Sequence, residues 1–111
     1  MAKVKDGKWS VTSSALWELD VLLKNNRISN EERFDVFNAL ASEFPVERIT
    51  PVTHASLATA AHLQKTYPGI RSFYFDSIHI AVAIQTDGVI VSSDASFDRV
   101  RGVERIDLDS L

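Results

Sequence analysis

Three aspartates fall at element junctions in residues 75–100, FDSIHIAVAIQTDGVIVSSDASFDRV. Asp76 lies near the start of a helical run, Asp94 directly follows an apolar strand, and Asp98 comes one helical turn later. Small α/β domains place functional groups where strands end and helices begin. Gathered carboxylates repel one another by roughly 1 kcal/mol or more per close pair, so such a cluster persists mainly where a cation offsets it. Oxygen ligands favour magnesium or manganese, which leave coordination positions for a phosphate and an attacking water. An ion in that place makes the water more acidic and stabilises the charge that grows on the phosphate oxygens. The chemistry expected of these residues is phosphodiester hydrolysis.

Composition narrows the field around that reading. A chain of 111 residues, 45% hydrophobic and 24% charged, is expected to form a single domain over residues 1–111. Twelve Lys and Arg against 15 Asp and Glu give a formal charge of -3, so the strongly basic balance of a duplex-coating protein is missing. A nucleic-acid partner stays open because bound cations neutralise acids. With no cysteine, thiolate zinc sites, iron–sulfur clusters and thiol nucleophiles are excluded, and a reducing compartment is expected. The first residues, MAKVKDGKWS, are charged, and no apolar run approaches the ~18 residues of a membrane span, so the expectation is a cytoplasmic protein with no membrane partner.

The elements that must position the acids follow from periodicity. Asp6-Gly7 inside residues 2–12 is a hairpin signal, with residues 8–12 the better strand and residues 1–7 an N-terminal extension or arm. From Ser14 a helical period puts Leu16, Leu19 and Leu23 on one stripe and ends at Asn25-Asn26. Ser29-Asn30-Glu31-Glu32 reads as a capping box opening a second helix, whose Phe34, Phe37, Leu40, Ala41 and Phe44 are expected to face the core until Pro45. A short strand is expected at residues 47–50 and an Ala-rich helix at residues 53–66. Ser72 is expected to cap the helix carrying Asp76, with Phe75, Ile78, Ala81 and Val82 core-like. Asp87-Gly88 then turns into Val89-Ile90-Val91, apolar on both faces as a strand buried between two helix layers, and residues 104–106 offer a last edge strand. The predicted architecture is α/β, a three-layer α/β/α sandwich with a mainly parallel sheet.

Three stretches, SSALWELDVLL, FYFDSIHIAVAI and VIVSSDASFDRV, resemble in order and spacing three successive motifs of the PIN domain family, the PilT N-terminus-type ribonucleases. The likeness spans roughly residues 8–107, and the apolar strand followed by Asp-x-x-Phe-Asp is its most specific part. It implies a near-parallel sheet flanked by helices, with acids at one edge that bind magnesium or manganese and cut single-stranded RNA. Many members are toxins of toxin–antitoxin pairs, so an antitoxin protein is an implied partner. By motif, Glu18, Asp76 and Asp94 correspond to catalytic, metal-binding acids and Asp98 to an auxiliary metal-binding acid. The sequence departs from the family in one respect: no apolar strand ending in an aspartate precedes Trp9, so an N-terminally truncated PIN-like fold is expected, lacking the strand between the second and fourth. Either residues 2–5 pair beside the second strand to fill that gap, or a second copy or an upstream segment covers the same edge; the second copy makes a homo-oligomer an expectation.

Other chemistry-bearing residues carry alternative readings. Arg71, Arg99 and Arg101 are candidates to hold RNA phosphates, and Ser92 to orient Asp94 or bind substrate, against ordinary surface roles. His79, one turn after Asp76, is taken to fill a polar niche in preference to acting as ligand or base, and His54 and His62 are too far apart for a metal pair. Trp9 and Trp17 are read as core or interface anchors. The enzyme reading is a PIN-type ribonuclease. Its alternative is a catalytically impaired PIN-derived module for interaction or dimerisation.

Overall fold

The computed structural model describes residues 10–71 and 73–110, excluding the side chains of residues 70 and 71. Strand β1 (Val11–Thr12) leads into helix α1 (Ser13–Asn25), and α2 (Asn30–Glu43) is followed by a 3-10 turn at Val46–Arg48. Strand β2 (Ile49–Thr50), helices α3 (His54–Thr66), α4 (Pro68–Arg71) and α5 (Tyr74–Gln85), and strand β3 (Val89–Ser92) come next. A 3-10 segment at Ala95–Arg99 and strand β4 (Glu104–Asp107) close the order, with a last 3-10 turn at Leu108–Ser110.

Local chemistry sets the helix ends. Thr12 caps α1 by accepting the Ala15 N–H at 3.1 Å. That helix stops in a Schellman arrangement: Ile28 N–H donates to Leu23 O and Arg27 N–H to Lys24 O, with Arg27 in the left-handed region at φ 62°. Ser29 Oγ caps α2, and Thr53 and Ser56 form a reciprocal capping box on α3. At α5 the capping residue is Phe73, with no side-chain cap bond; Ser72, the expected cap, lies outside the described residues.

The core is built on α5. Ser77, Ile78, Ile80, Ala81, Val82 and Ala83 are all buried, so this helix is enclosed through its middle. Ala60 and Leu63 of α3 pack against it, and Phe97 and Val100 after β3 complete the cluster. Buried Ser77 ties the two helices together, donating to Tyr74 O at 2.6 Å and accepting from Gln64 Nε2 at 2.7 Å. These contacts fix the first turn of α5, where Asp76 sits.

Among the described residues both strand pairs are parallel, in keeping with the mainly parallel sheet expected of this α/β chain. β1 pairs with β2 in the register Val11↔Ile49, and β3 pairs with β4 from Val89↔Glu104 to Ser92↔Asp107. Among the described residues the sheet is two separate pairs, with no ladder between β1 and β3. The hairpin arm and Trp9 lie outside the described residues.

Two core expectations are corrected. No residue of α2 is buried; Phe34 is 68% exposed and Ala41 is exposed, while Phe37, Leu40 and Phe44 are partly buried, so only part of the expected apolar face is covered. Likewise β3 is not buried on both faces: Val91 is 36% exposed, and among the described residues the strand pairs with β4 alone. No helix among the described residues is long and apolar enough to cross a membrane.

The turn into β3 depends on Gly88, at φ 72°, where an added Cβ would lie 3.0 Å from Gly102 O. Both the left-handed backbone and the close carbonyl oppose a side chain. Gly88→Ala is therefore expected to lower unfolding free energy by about 1–3 kcal/mol in urea titration. Gly69→Ala, with nothing within 4 Å of its Cβ, changes it by less than about 0.5 kcal/mol.

Candidate metal centre

Two helices meet to build the site. Ser14 and Glu18 are four residues apart on α1, and Asp76 and His79 three apart on α5, so each pair shares a helix face. Donor atoms of Glu18, Asp76 and His79 all lie within 4.8 Å of one another, and all three residues are partly buried. Glu18 Oε1 is 3.3 Å from His79 Nε2. On its other side, His79 Nδ1 is 2.8 Å from Ser14 Oγ and 3.4 Å from Thr12 Oγ1. Ser14 and Thr12 hydroxyls are themselves 2.8 Å apart. Aromatic rings brace the same contact: Phe75 stacks on His79 with centroids 6.3 Å apart, and Trp17 meets Phe75 edge-on at 6.0 Å.

The electrostatics are those of crowded anions. Burial pushes the Asp76 pKa up, and the nearby Glu18 and Asp94 carboxylates push it further, while His79 opposes them. Two carboxylates and an imidazole with donor atoms this close form a donor set that fits a divalent cation, with the negative charge to hold it.

The remaining acids sit differently. Asp94 is exposed at the end of β3; its Oδ1 accepts the Ser96 N–H at 2.9 Å, and hydrogen bonding from Ser96 lowers its pKa. It lies outside the group of donor atoms within 4.8 Å but acts on Asp76 through space. Asp98 is held by Arg105, which donates from Nε to Oδ1 at 2.9 Å and from its terminal nitrogen to Oδ2 at 3.2 Å, and this lowers the Asp98 pKa. Arg105 also donates to Ser92 O at 3.0 Å, so it staples β4 to the end of β3 beside Asp94. Ser92 Oγ accepts the Asp94 N–H. Arg99 and Arg101 are exposed after this segment, and the Arg71 side chain lies outside the described residues.

In sequence His79 reads as a niche histidine, and neither Ser14 nor Arg105 stands out. The helix-start signal Thr12-Ser13-Ser14 marks a cap, and Ser14 and Glu18 sit four apart; both hint at one hydroxyl-and-acid face. Nothing local pairs it with a histidine 65 residues away.

An acid with a raised folded pKa costs stability when ionised. The cost is present above the folded pKa, and stability is regained as pH falls through it. Without divalent ions, Asp76→Asn is therefore expected to be more stable than the parent near neutral pH, on the order of 0.5–1 kcal/mol after solvent screening. Urea titrations across a pH series should show the difference closing on acidification.

The PIN domain family model matches residues 2–103. Searches of curated proteins and of solved structures return no match for this chain. Since the family match runs through β1, both helices of the acidic site, β3 and Asp94, the chain belongs to the PIN domain family, whose members are nuclease-type proteins that generally depend on a divalent metal.

Proposed function

We infer that this protein is an endoribonuclease that cleaves single-stranded RNA with a magnesium or manganese ion bound by Glu18, Asp76 and Asp94, with Asp98 auxiliary. One observation carries the reading: Glu18 and Asp76, from helices far apart in sequence, converge with raised proton affinity on Asp76. Packing that forces two carboxylates together without a cation is costly, and an ion relieves it. When bound, the ion supplies electrophilic stabilisation of the phosphate and a more acidic attacking water. Glu18 and Asp76 hold it from the two helices. Asp94, exposed and kept ionised by its Ser96 bonds, adds charge from the strand edge. Arg99 and Arg101, exposed after β3, together with Arg71 and Ser92, contact the RNA phosphates. With a net charge of -3, binding then depends on the ion and on these few cations.

A partner surface is supported by Trp17, Leu22 and Phe34 on α1 and α2, which are 64%, 52% and 68% exposed. In this reading the exposed α1–α2 surface takes a second copy or an antitoxin protein, and the chain acts in the cytoplasm as the toxin of such a pair. The same exposed surface, with the sheet in two pairs among the described residues, favours a second reading: a PIN-derived interaction module that no longer turns over substrate.

Cleavage of a labelled single-stranded RNA decides between them. Magnesium- or manganese-dependent cutting, removed by chelator and reduced at least about 100-fold in Asp76→Asn and in Asp94→Asn, is expected. Equal cutting by either variant would exclude that residue from the site. No cutting by the parent chain, with a dimer in sedimentation, would favour the module.

A further inference from the structure

His79 belongs to the same cluster as Glu18 and Asp76, and its surroundings are those of a ligand. Two donors at neighbouring positions of an octahedral ion, with bonds of ~2.1 Å, stand about 3 Å apart, and opposite donors about 4.2 Å. The 3.3 Å between His79 Nε2 and Glu18 Oε1 suits neighbouring positions, and the 4.8 Å limit on the whole set requires only small side-chain adjustment. As a hydrogen bond, 3.3 Å is at the long end of the range.

The far side of the ring is anchored. Ser14, 3% exposed, holds Nδ1 at 2.8 Å and is itself 2.8 Å from Thr12 Oγ1, which accepts the Ala15 N–H as the α1 cap. These distances accommodate a chain in which Nδ1–H donates to Ser14 Oγ and the Ser14 hydroxyl donates to Thr12 Oγ1, and that tautomer leaves the Nε2 lone pair for a cation beside Glu18 and Asp76; in the other tautomer Nε2–H donates to Glu18 Oε1. Metal-binding histidines almost always have their second ring nitrogen held this way. The Phe75 ring, inclined 23° to the imidazole, restricts its rotation.

We propose that His79 Nε2 is a direct ligand of the ion held by Glu18 and Asp76, with Ser14 as its positioning residue, so that the site prefers first-row transition ions to magnesium. This rests on the metal-dependent reading above, and it adds a nitrogen donor to a set otherwise made of carboxylates. Imidazole favours the later divalent ions of the first row, whereas magnesium favours oxygen.

The test is pulsed electron paramagnetic resonance of one equivalent of Mn2+ on the full chain, with Mn2+ and Mg2+ affinities measured by competition. Bound Mn2+ in the parent protein is expected to show modulation from a directly coordinated 14N, lost in His79→Gln. That variant should lose at least about tenfold in Mn2+ affinity and much less in Mg2+ affinity. Ser14→Ala should keep the 14N signal while weakening Mn2+ about tenfold or more. Saturable Mn2+ binding with no 14N modulation in the parent, or modulation that survives in His79→Gln, overturns the proposal and leaves the carboxylate site intact. Failure of the parent to bind Mn2+ at all overturns both this proposal and the metal-dependent reading. The parent spectrum needs no variant to fold.

Discussion

The contact between α1 and α5 brings Glu18 and Asp76 into the same small volume, against their mutual repulsion. Nothing local to either helix requires it. What requires it is the enclosure of α5: its buried Ile78, Ile80 and Ala81 pack with Ala60 and Leu63 of α3 and with Phe97 and Val100, and this fixes the rotation of the helix. With Ile78, Ile80 and Ala81 committed to the core, the Asp76–His79 face is left pointing at the first turns of α1. Ring packing among Trp17, Phe75 and His79 then holds the two faces in register. Apolar burial supplies the free energy for this arrangement, and the crowded carboxylates spend a part of it.

A second feature is the division of the sheet. β1–β2 carries α1 and its Glu18; β3–β4 carries Asp94 and, through Arg105, Asp98. Helix α5 and its core cluster bridge these halves. The acids of the site therefore belong to two structural units whose alignment depends on side-chain packing more than on a shared ladder among the described residues. Arg105 serves the second unit as the convergence of helices serves the first, gripping Asp98, the Ser92 carbonyl and, at 3.7 Å, Asp107.

Much of this was legible in the residues. Ser29 announced a helix start through its side-chain oxygen and caps α2 as expected; Thr53 and Asp94 also cap, at the start of α3 and of the 3-10 segment after β3. The order of strands and helices, their parallel pairing and the family followed from hydrophobic period and from three short motifs. What escaped were contacts that join distant segments. Ser14 and His79 carry no mark of one another in sequence, and the burial of α2 could not be judged from its period, because Phe34 and Ala41 look like core positions on any helical wheel. Arg105 read as one residue of an edge strand, yet its reach back to Asp98 and Ser92 follows only once β4 lies beside β3.

The central claim is that the Glu18–Asp76 pair is an ion site whose repulsion a divalent cation relieves. Thermal unfolding with and without Mn2+ or Mg2+ tests this most directly, because an ion that binds only the folded chain raises its stability by mass action. At a concentration of 100 times the dissociation constant, the gain is about 2.7 kcal/mol, several degrees in a chain of this size. The account predicts a saturable rise in melting temperature that is lost in the Glu18→Gln, Asp76→Asn double variant. An unchanged melting temperature for the parent chain, or an equal rise in the double variant, would contradict it.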